Sequence, residues 1–497
     1  MCGAGLRHLV LVGLTLVAST GCARLFSHYD VAPSGLQSQD DRLRRLLALG
    51  HADSALAAVL PDADAAPDDE LLQALYTGIL AHYAGAYDTS NVALQRAADL
   101  AEDRYTKSVS RAALSLVTSD KTLAYEPGWT ERLLIHYYGA LNRLRQEDRV
   151  GAAVEARRLA SLLEREASRD ADPRTVRLRA FLRYFTGIVF EATGEWTDAD
   201  VAYRNALILA SRGDTLPEPE ALPDTLGEVV VVVEQAYVAH RVEQSLVVPL
   251  HPVEVEWLTG SEGDERAAAA AEVAARIVAY GLMSPGHSRW YDRRPPTIFV
   301  DLPSDRYYED ACRRRAEREQ KENGDEKEDC TDYGNPYILR VAWPTFRLDR
   351  EPARRVQVVT GDGATASLLY PADVSEAVVR DFEDERTLVM ARTVARAISK
   401  LALTRGVERN VGGDAEWVGR VLGALTNVGT ALLEQADTRS WQLLPARVGL
   451  ARLRLPPGTH EIALQIGSGG ANARRVVIGS VEVRPGTITV LSARSWH

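Results

Sequence analysis

Phe185-Thr-Gly187-Ile-Val-Phe190-Glu-Ala-Thr-Gly194-Glu-Trp196-Thr-Asp-Ala199-Asp-Val-Ala-Tyr203-Arg-Asn-Ala206-Leu207 decides how the first half of the chain is read. Apolar side chains recur at helical spacing on both sides of Gly194, so the stretch is two helices with a glycine between them. Gly194 suits the left-handed residue that closes a helix. The same periodicity runs from residue 41 to residue 211.

Within that span the pattern repeats. Tyr76-Thr-Gly78-Ile-Leu-Ala81-His-Tyr83-Ala-Gly85-Ala-Tyr87-Asp-Thr-Ser90 continues to Leu94 and Ala97, and its two glycines have the same separation as Gly187 and Gly194. A more divergent copy runs from Tyr138-Gly-Ala140 through Glu147 to Ala152, Ala156 and Leu159, and a fragment over Leu46 to Leu60 has Gly50 and Ala55 at matching offsets. These copies resemble the tetratricopeptide repeat, which implies four helix pairs stacked into an all-α solenoid with a concave groove. In that reading Gly78, Gly187 and Ala199 let paired helices approach, Gly85 and Gly194 end first helices, Tyr203 fills the space between helices, and Ala206 leaves room for the next repeat. Such a groove holds a peptide or a partner's helix. The alternative is that the repeats pack only on the chain's own C-terminal half.

The pattern changes after Ser211-Arg-Gly-Asp-Thr-Leu-Pro217-Glu-Pro219-Glu-Ala-Leu-Pro223, a linker by composition. Glu228-Val-Val-Val-Val-Val233, Gln244 to Pro249, Pro295 to Val300 and Tyr337 to Trp343 read as strands. Val356 to Val359 and Ala366 to Tyr370 flank Thr-Gly-Asp-Gly, a hairpin turn. Helices are expected over Ser375 to Leu403 and Asp414 to Gln435. The second carries Gly419, Gly423 and Gly429, which suit close helix packing, with membrane contact or self-association as the other use. From Trp441 the segments Arg447–Leu455, Glu461–Ile466, Arg475–Val483 and Thr487–Leu491 read as a meander closing a small antiparallel β-sandwich. Leu455-Pro-Pro-Gly-Thr-His460 resembles surface-layer β-modules of the PEGA type. The chain is thus expected to be multi-domain: signal 1–21, tether 22–40, tetratricopeptide-like repeats 41–213, linker 214–227, an α+β region 228–437 with a charged insertion at 312–333, and an antiparallel β module 438–497.

The N-terminus sets the compartment. Arg7 precedes an apolar run from Leu9 to Ala18, and Ser19-Thr20-Gly21-Cys22 follows. A basic start, a short apolar run and a small-residue end make a secretory signal. The small residues before Cys22 resemble the lipobox of bacterial lipoproteins, in which that cysteine takes a diacylglycerol thioether; Ser19 stands where leucine is usual. Two lipid attachments would give stable membrane anchoring. Ordinary secretion with an incidental Cys22 is the alternative. Ala23, in place of an aspartate, favours the outer membrane in a Gram-negative source. Cys2 leaves with the signal, so Cys312 and Cys330 remain in an oxidising compartment, where they form a disulfide across the charged insertion or stay as free thiols.

Composition excludes one class of partner. With 58 Lys and Arg against 69 Asp and Glu, the net charge of −11 gives no concentrated basic surface for nucleic acid. No HExxH, Walker loop, GxSxG or strand-linked GxGxxG occurs, and no residue pattern asks for a metal or cofactor. His240 with Glu234 and Glu243, His251, Asp414 with Glu416, and Asp437-Thr-Arg439-Ser440-Trp441 are the nearest to chemistry; capping and pairing explain each as well. The order of lipobox, repeats, valine-rich strand and C-terminal strands resembles a family of bacterial tetratricopeptide-repeat lipoproteins, which implies fold and location but no activity. The expected role is an adaptor that binds a protein partner through its repeats; the alternatives are an envelope-polymer hydrolase or a self-associating structural subunit, with a site in the β-rich half.

Overall fold

A computed structural model describes residues 40–60, 69–111, 125–210, 216–250, 254–255, 271–279, 297–299, 337–347, 355–410, 436–467 and 473–496. Cys22, Cys312, Cys330, His251, Asp414, Glu416 and the glycines at 419, 423 and 429 lie outside them. So do the signal and nearly all of the tether and the charged insertion. The described part is a helical N-terminal half followed by strands in antiparallel and mixed sheets.

The helices come in antiparallel pairs: α1 (Asp40–Ala48) with α2 (Ala52–Val59), α3 (Glu70–Tyr83) with α4 (Tyr87–Arg111), α5 (Trp129–Arg145) with α6 (Arg149–Arg165), and α7 (Val176–Thr193) with α8 (Trp196–Ala210). The turns within the pairs share one solution. Gly50, Gly85, Glu147 and Gly194 all have positive φ, at 80°, 75°, 58° and 86°. The next residue donates back five positions in each: His51 to Leu46, Ala86 to Ala81, Asp148 to Arg143 and Glu195 to Phe190, at 2.8–2.9 Å. This is the Schellman closure, which satisfies a helix's last carbonyls.

Counting seven residues back from each turn finds Leu43, Gly78, Ala140 and Gly187, all on first helices. A Cβ on Gly78 would lie 2.6 Å from Leu94, and one on Gly187 would lie 2.7 Å from the Tyr203 ring. Each glycine therefore makes room for a large side chain on the second helix. Ala140 and Ala156, both fully buried, occupy the equivalent positions of the third pair. Ala199 and Ala206 are buried between the helices of the last.

Strand β1 (Gly227–Gln235) explains the second half. Five consecutive valines suit a strand covered on both faces. It lies between β11 (Ile488–Ser495), parallel to it, and β8 (Arg447–Leu455), antiparallel, with β7 (Leu369–Asp373) beyond β8. A second sheet has the order β10 (Arg474–Val483), β9 (Gly458–Ile466), β5 (Val356–Thr360), β6 (Thr365–Ser367). Val229, Val231 and Val233 pack between the sheets with Ala451, Leu453, Ile462, Leu464 and Val358. Val230 and Val232 are equally buried but face the other way.

This arrangement differs from the expected meander. The strands after residue 438 divide between the two sheets, β8 and β11 in one and β9 and β10 in the other, and each sheet is completed by strands from before residue 437. The β1–β11 pair is parallel, so that sheet is mixed. The stretch Ala366–Tyr370, read as one strand, breaks at Leu368 and its second half joins the opposite sheet. Local sequence specifies each strand, but only long-range pairing selects its neighbours.

A third sheet, β3 (Thr297–Phe299), β2 (His240–Leu250), β4 (Tyr337–Arg347), packs on α9 (Val374–Asn410). Leu246, Val248, Val341 and Trp343 meet Met390, Val394 and Leu401 there.

Candidate functional site

The helix-facing side of the first sheet would be the floor of the expected groove, and it is covered. In β1 the valines of that face are bracketed by Glu228 and Glu234, both buried. In β8 the same face carries Arg452, and in β11 Ser492 and Arg494. Contacts run from α5 and α7 to β11 and from α7 to β7. Arg452 pairs with Glu228 and with Glu191 of α7, the latter at 3.1 Å, and reaches the hydroxyls of Tyr184 and Tyr203. Glu234 accepts from Tyr83 at 2.7 Å and Tyr137 at 3.2 Å. Arg494, its partner across the β1–β11 ladder, donates to the Tyr83 hydroxyl and lies over the rings of Tyr83, Tyr237 and Trp496 at 4.4–5.0 Å. Burial, and then the Glu234 charge, push the Tyr137 hydroxyl well above the ordinary tyrosine range, so it stays a donor.

Beside this cluster runs a hydrogen-bond chain whose direction is fixed by one carbonyl. Ser90 Oγ lies 2.6 Å from the Gly78 oxygen, which can only accept, so Ser90 donates there. Asn142 Nδ2 then donates to Ser90 Oγ at 2.8 Å, which leaves Asn142 Oδ1 facing His82 Nδ1 at 2.6 Å. His82 therefore carries its proton on Nδ1, and Nε2 is an acceptor, 3.5 Å from Ser492 Oγ. Burial lowers the His82 pKa and keeps the ring neutral. The chain ties the edge strand β11 to α3, α4 and α5. It also sets out a hydroxyl, a base and an orienting amide in the order that nucleophilic catalysis uses.

A separate cavity of about 170 Å³ lies where α4, the start of α5, the start of β2, the end of β4 and α9 converge. Most of its ionisable groups are committed to holding these elements together. Asp381 of α9 accepts from the Thr130 amide at 2.6 Å, capping α5 from a distant part of the chain, and pairs with Arg169 at 3.1 Å. Burial raises the Asp381 pKa to about 6 against these partners. Glu131 accepts from the Tyr125 hydroxyl, from the Gly128 amide at 2.9 Å and from the Trp441 amide at 3.0 Å. Arg132 pairs with Glu102 while lying over Trp129. Arg241 has its guanidinium carbon 6.0 Å from the Phe346 ring and 5.6 Å from the Phe382 ring.

The candidates with possible chemistry sort accordingly. Asp437 and Arg439 pair with each other at 2.8 Å, and Arg439 reaches Asp69, the N-cap of α3, at 3.0 Å. Ser440 accepts from the Arg241 amide at 3.4 Å. His240 is buried at the start of β2. The structure brings Ser440, Trp441 and Glu131 together; Glu234 accepts from Tyr83 and Tyr137, and Glu243 from Arg340 and the Ala436 amide. Sequence reasoning missed Arg452, Arg494, Asp381 and Arg241. For the first two a signal existed: an arginine within an apolar alternating strand asks for a buried partner. Among the described residues no group of side chains has the arrangement of a metal site, and no helix is long and apolar enough to cross a membrane. No protein-family model, curated protein or solved structure matches the chain.

Proposed function

We propose that the chain is an exported, lipid-anchored envelope protein of the tetratricopeptide-lipoprotein type, serving as an adaptor for a protein partner. In this reading the helix pairs form a short solenoid, anchored through Cys22, whose inner face is already filled by the chain's own sheet. The observation that directs a partner to the outer face is this filling: Glu234, Arg452 and Arg494 are matched to tyrosines and an acid on the repeats, and Glu228 pairs with Arg452. The partner then meets the outer face, where the second helices expose Val92, Val150, Trp196, Val201 and Ile208.

A photo-crosslinker placed at Val92, Val150 or Val201 of the anchored chain should give a discrete adduct in cells. The same group at exposed Arg475 on β10 should not. Absence of adducts at all three outer positions overturns the adaptor reading. Cys22→Ser should release the chain from the membrane fraction; retention would overturn the anchor.

The arrangement Ser492–His82–Asn142 favours a second reading, an acyl hydrolase acting on an envelope substrate. A fluorophosphonate probe should then label the wild-type chain and fail on Ser492→Ala. An unlabelled wild-type chain overturns it.

A further inference from the structure

We propose that the chain pairs with a second copy of itself through β10, edge to edge about a two-fold axis, so that the second sheets of two copies become one. β10 is an outer strand of that sheet. Among the described residues nothing hydrogen-bonds to the side of its backbone that turns away from β9. Cover is incomplete there as well: Val476 and Ile478 pack against the core but are only half-buried, and Val477 on the other face is 54% exposed. An open strand edge is a template for another strand.

The bulge in β10 decides which strand fits. Side chains alternate between faces along a strand, but β10 slips by one residue between Val477 and Gly479. Arg475, Val477, Ser480 and Glu482 therefore face outward, and Val476, Ile478, Val481 and Val483 face the core. A regular strand laid alongside would match faces on one side of the bulge and oppose them on the other. An antiparallel second β10 carries the same slip and matches throughout in one register. There Arg475 stands opposite the partner's Glu482, Val476 opposite the partner's Val481, Val477 opposite the partner's Ser480, and Ile478 opposite the partner's Gly479. A Cβ on Gly479 would meet nothing within 4 Å, so that glycine leaves open space where an isoleucine arrives. Sliding the partner by two residues either way sets an inward residue against an outward one beside the bulge. In one direction it also sets Arg475 against the partner's Arg484.

The charges fit without any vacancy. Arg475 reaches Glu461 at 2.7 Å, and Glu482 lies 3.6 Å from Arg484; all four side chains are solvent-facing. A guanidinium has donors for two carboxylates, so Arg475 can bond Glu461 and the partner's Glu482 together. Opposite charges directly across a ladder stabilise it, and the two-fold axis supplies this pair twice.

The test is sedimentation of the full chain in detergent, read as the mass of protein per particle. The wild type should be dimeric at micromolar concentration. Glu482→Arg sets arginine against arginine at both ends of the ladder and should weaken the dimer at least tenfold. Adding Arg475→Glu should restore it. Both side chains are exposed, so thermal melts should show both variants folded. Mixed chains report the register: Val477→Cys and Ser480→Cys chains should form a disulfide-linked dimer when combined and oxidised, in excess of either alone. The proposal is overturned if the wild type stays monomeric at high micromolar concentration, if Glu482→Arg associates unchanged, if the double variant stays as weak as the single one, or if mixing adds no disulfide-linked dimer. A photo-crosslinker in place of Arg475 deletes both cross-strand pairs, so that position stays silent for the second copy as it does for a partner of the helices. The two surfaces lie on different elements, so this proposal and the adaptor reading can fail independently.

Discussion

Glu147 is the residue at which the repeat departs most visibly from its own rule. Its φ of 58° lies in the region that three glycines occupy at the equivalent turns. A side chain in that conformation costs on the order of 1 kcal/mol. Glu147→Gly should therefore raise stability by about 0.5–1 kcal/mol, read as an upward shift in the urea midpoint with an unchanged slope. A drop would mean that the glutamate side chain holds the turn by contacts outweighing its backbone strain. Gly187 is the opposite case. An added methyl group meets the Tyr203 ring at 2.7 Å, in a position fixed by the ring's hydroxyl bond to Glu191 at 2.6 Å. Overpacking of this kind costs about 1–3 kcal/mol. Gly187→Ala should lower the midpoint, and Gly187→Ala with Tyr203→Leu should recover most of the loss.

At the scale of elements, the sheet is fastened to the helices by polar anchors set in apolar surroundings. Removing Arg494 would leave Glu234 buried with only tyrosine donors, and breaking such a cluster costs about 3–5 kcal/mol. Arg494→Met should destabilise by that order, and Glu234→Gln in the same chain should restore part of it; strictly additive losses would show that the two do not act together. The elements themselves were largely legible. Helix periodicity, the turn glycines and the valine run are local signals, and β1, β2, β4, β8 and α9 fall where those signals put them. What was hidden is the pairing. The parallel partnership of β1 with β11 joins residues some 260 positions apart, and nothing in either strand names the other. The cavity was hidden for the same reason: Trp129, Arg241, Phe346 and Asp381 come from four distant segments, and each alone looks like an ordinary cap or core residue.

At the scale of the whole molecule, two buried carboxyls sit at the joins and give the assembled chain a pH dependence of definite sign. Asp40, at the start of α1, is buried against Tyr76 with one carboxylate oxygen unpartnered among the described residues, and burial raises its pKa to about 7. Asp381 joins α9 to α5 with a pKa raised to about 6. In the unfolded chain both titrate near the ordinary value of 3.8. A carboxyl whose folded pKa is raised contributes stability fully present below its unfolded pKa and lost as pH rises through the folded one. The loss therefore runs from about pH 4 to about pH 7, with each group contributing on the order of a few kcal/mol. Groups such as Asp148, lowered chiefly by the Gly151 amide, act in the other direction and only below the ordinary carboxylate range. The folded chain should then melt higher at pH 5 than at pH 8. Asp40→Asn keeps an acceptor for the Tyr76 hydroxyl and removes the titration, so its melting temperature should match the wild type near pH 4 and exceed it at pH 8. Asp381→Asn retains an oxygen for the Thr130 amide and should flatten the profile over a window ending one unit lower, near pH 6. Thermal melts of the three chains across pH 4 to 8 decide the matter: parallel profiles would mean that neither carboxyl gains its proton on acidification, and that the joins hold their charge at every pH at which the chain is folded.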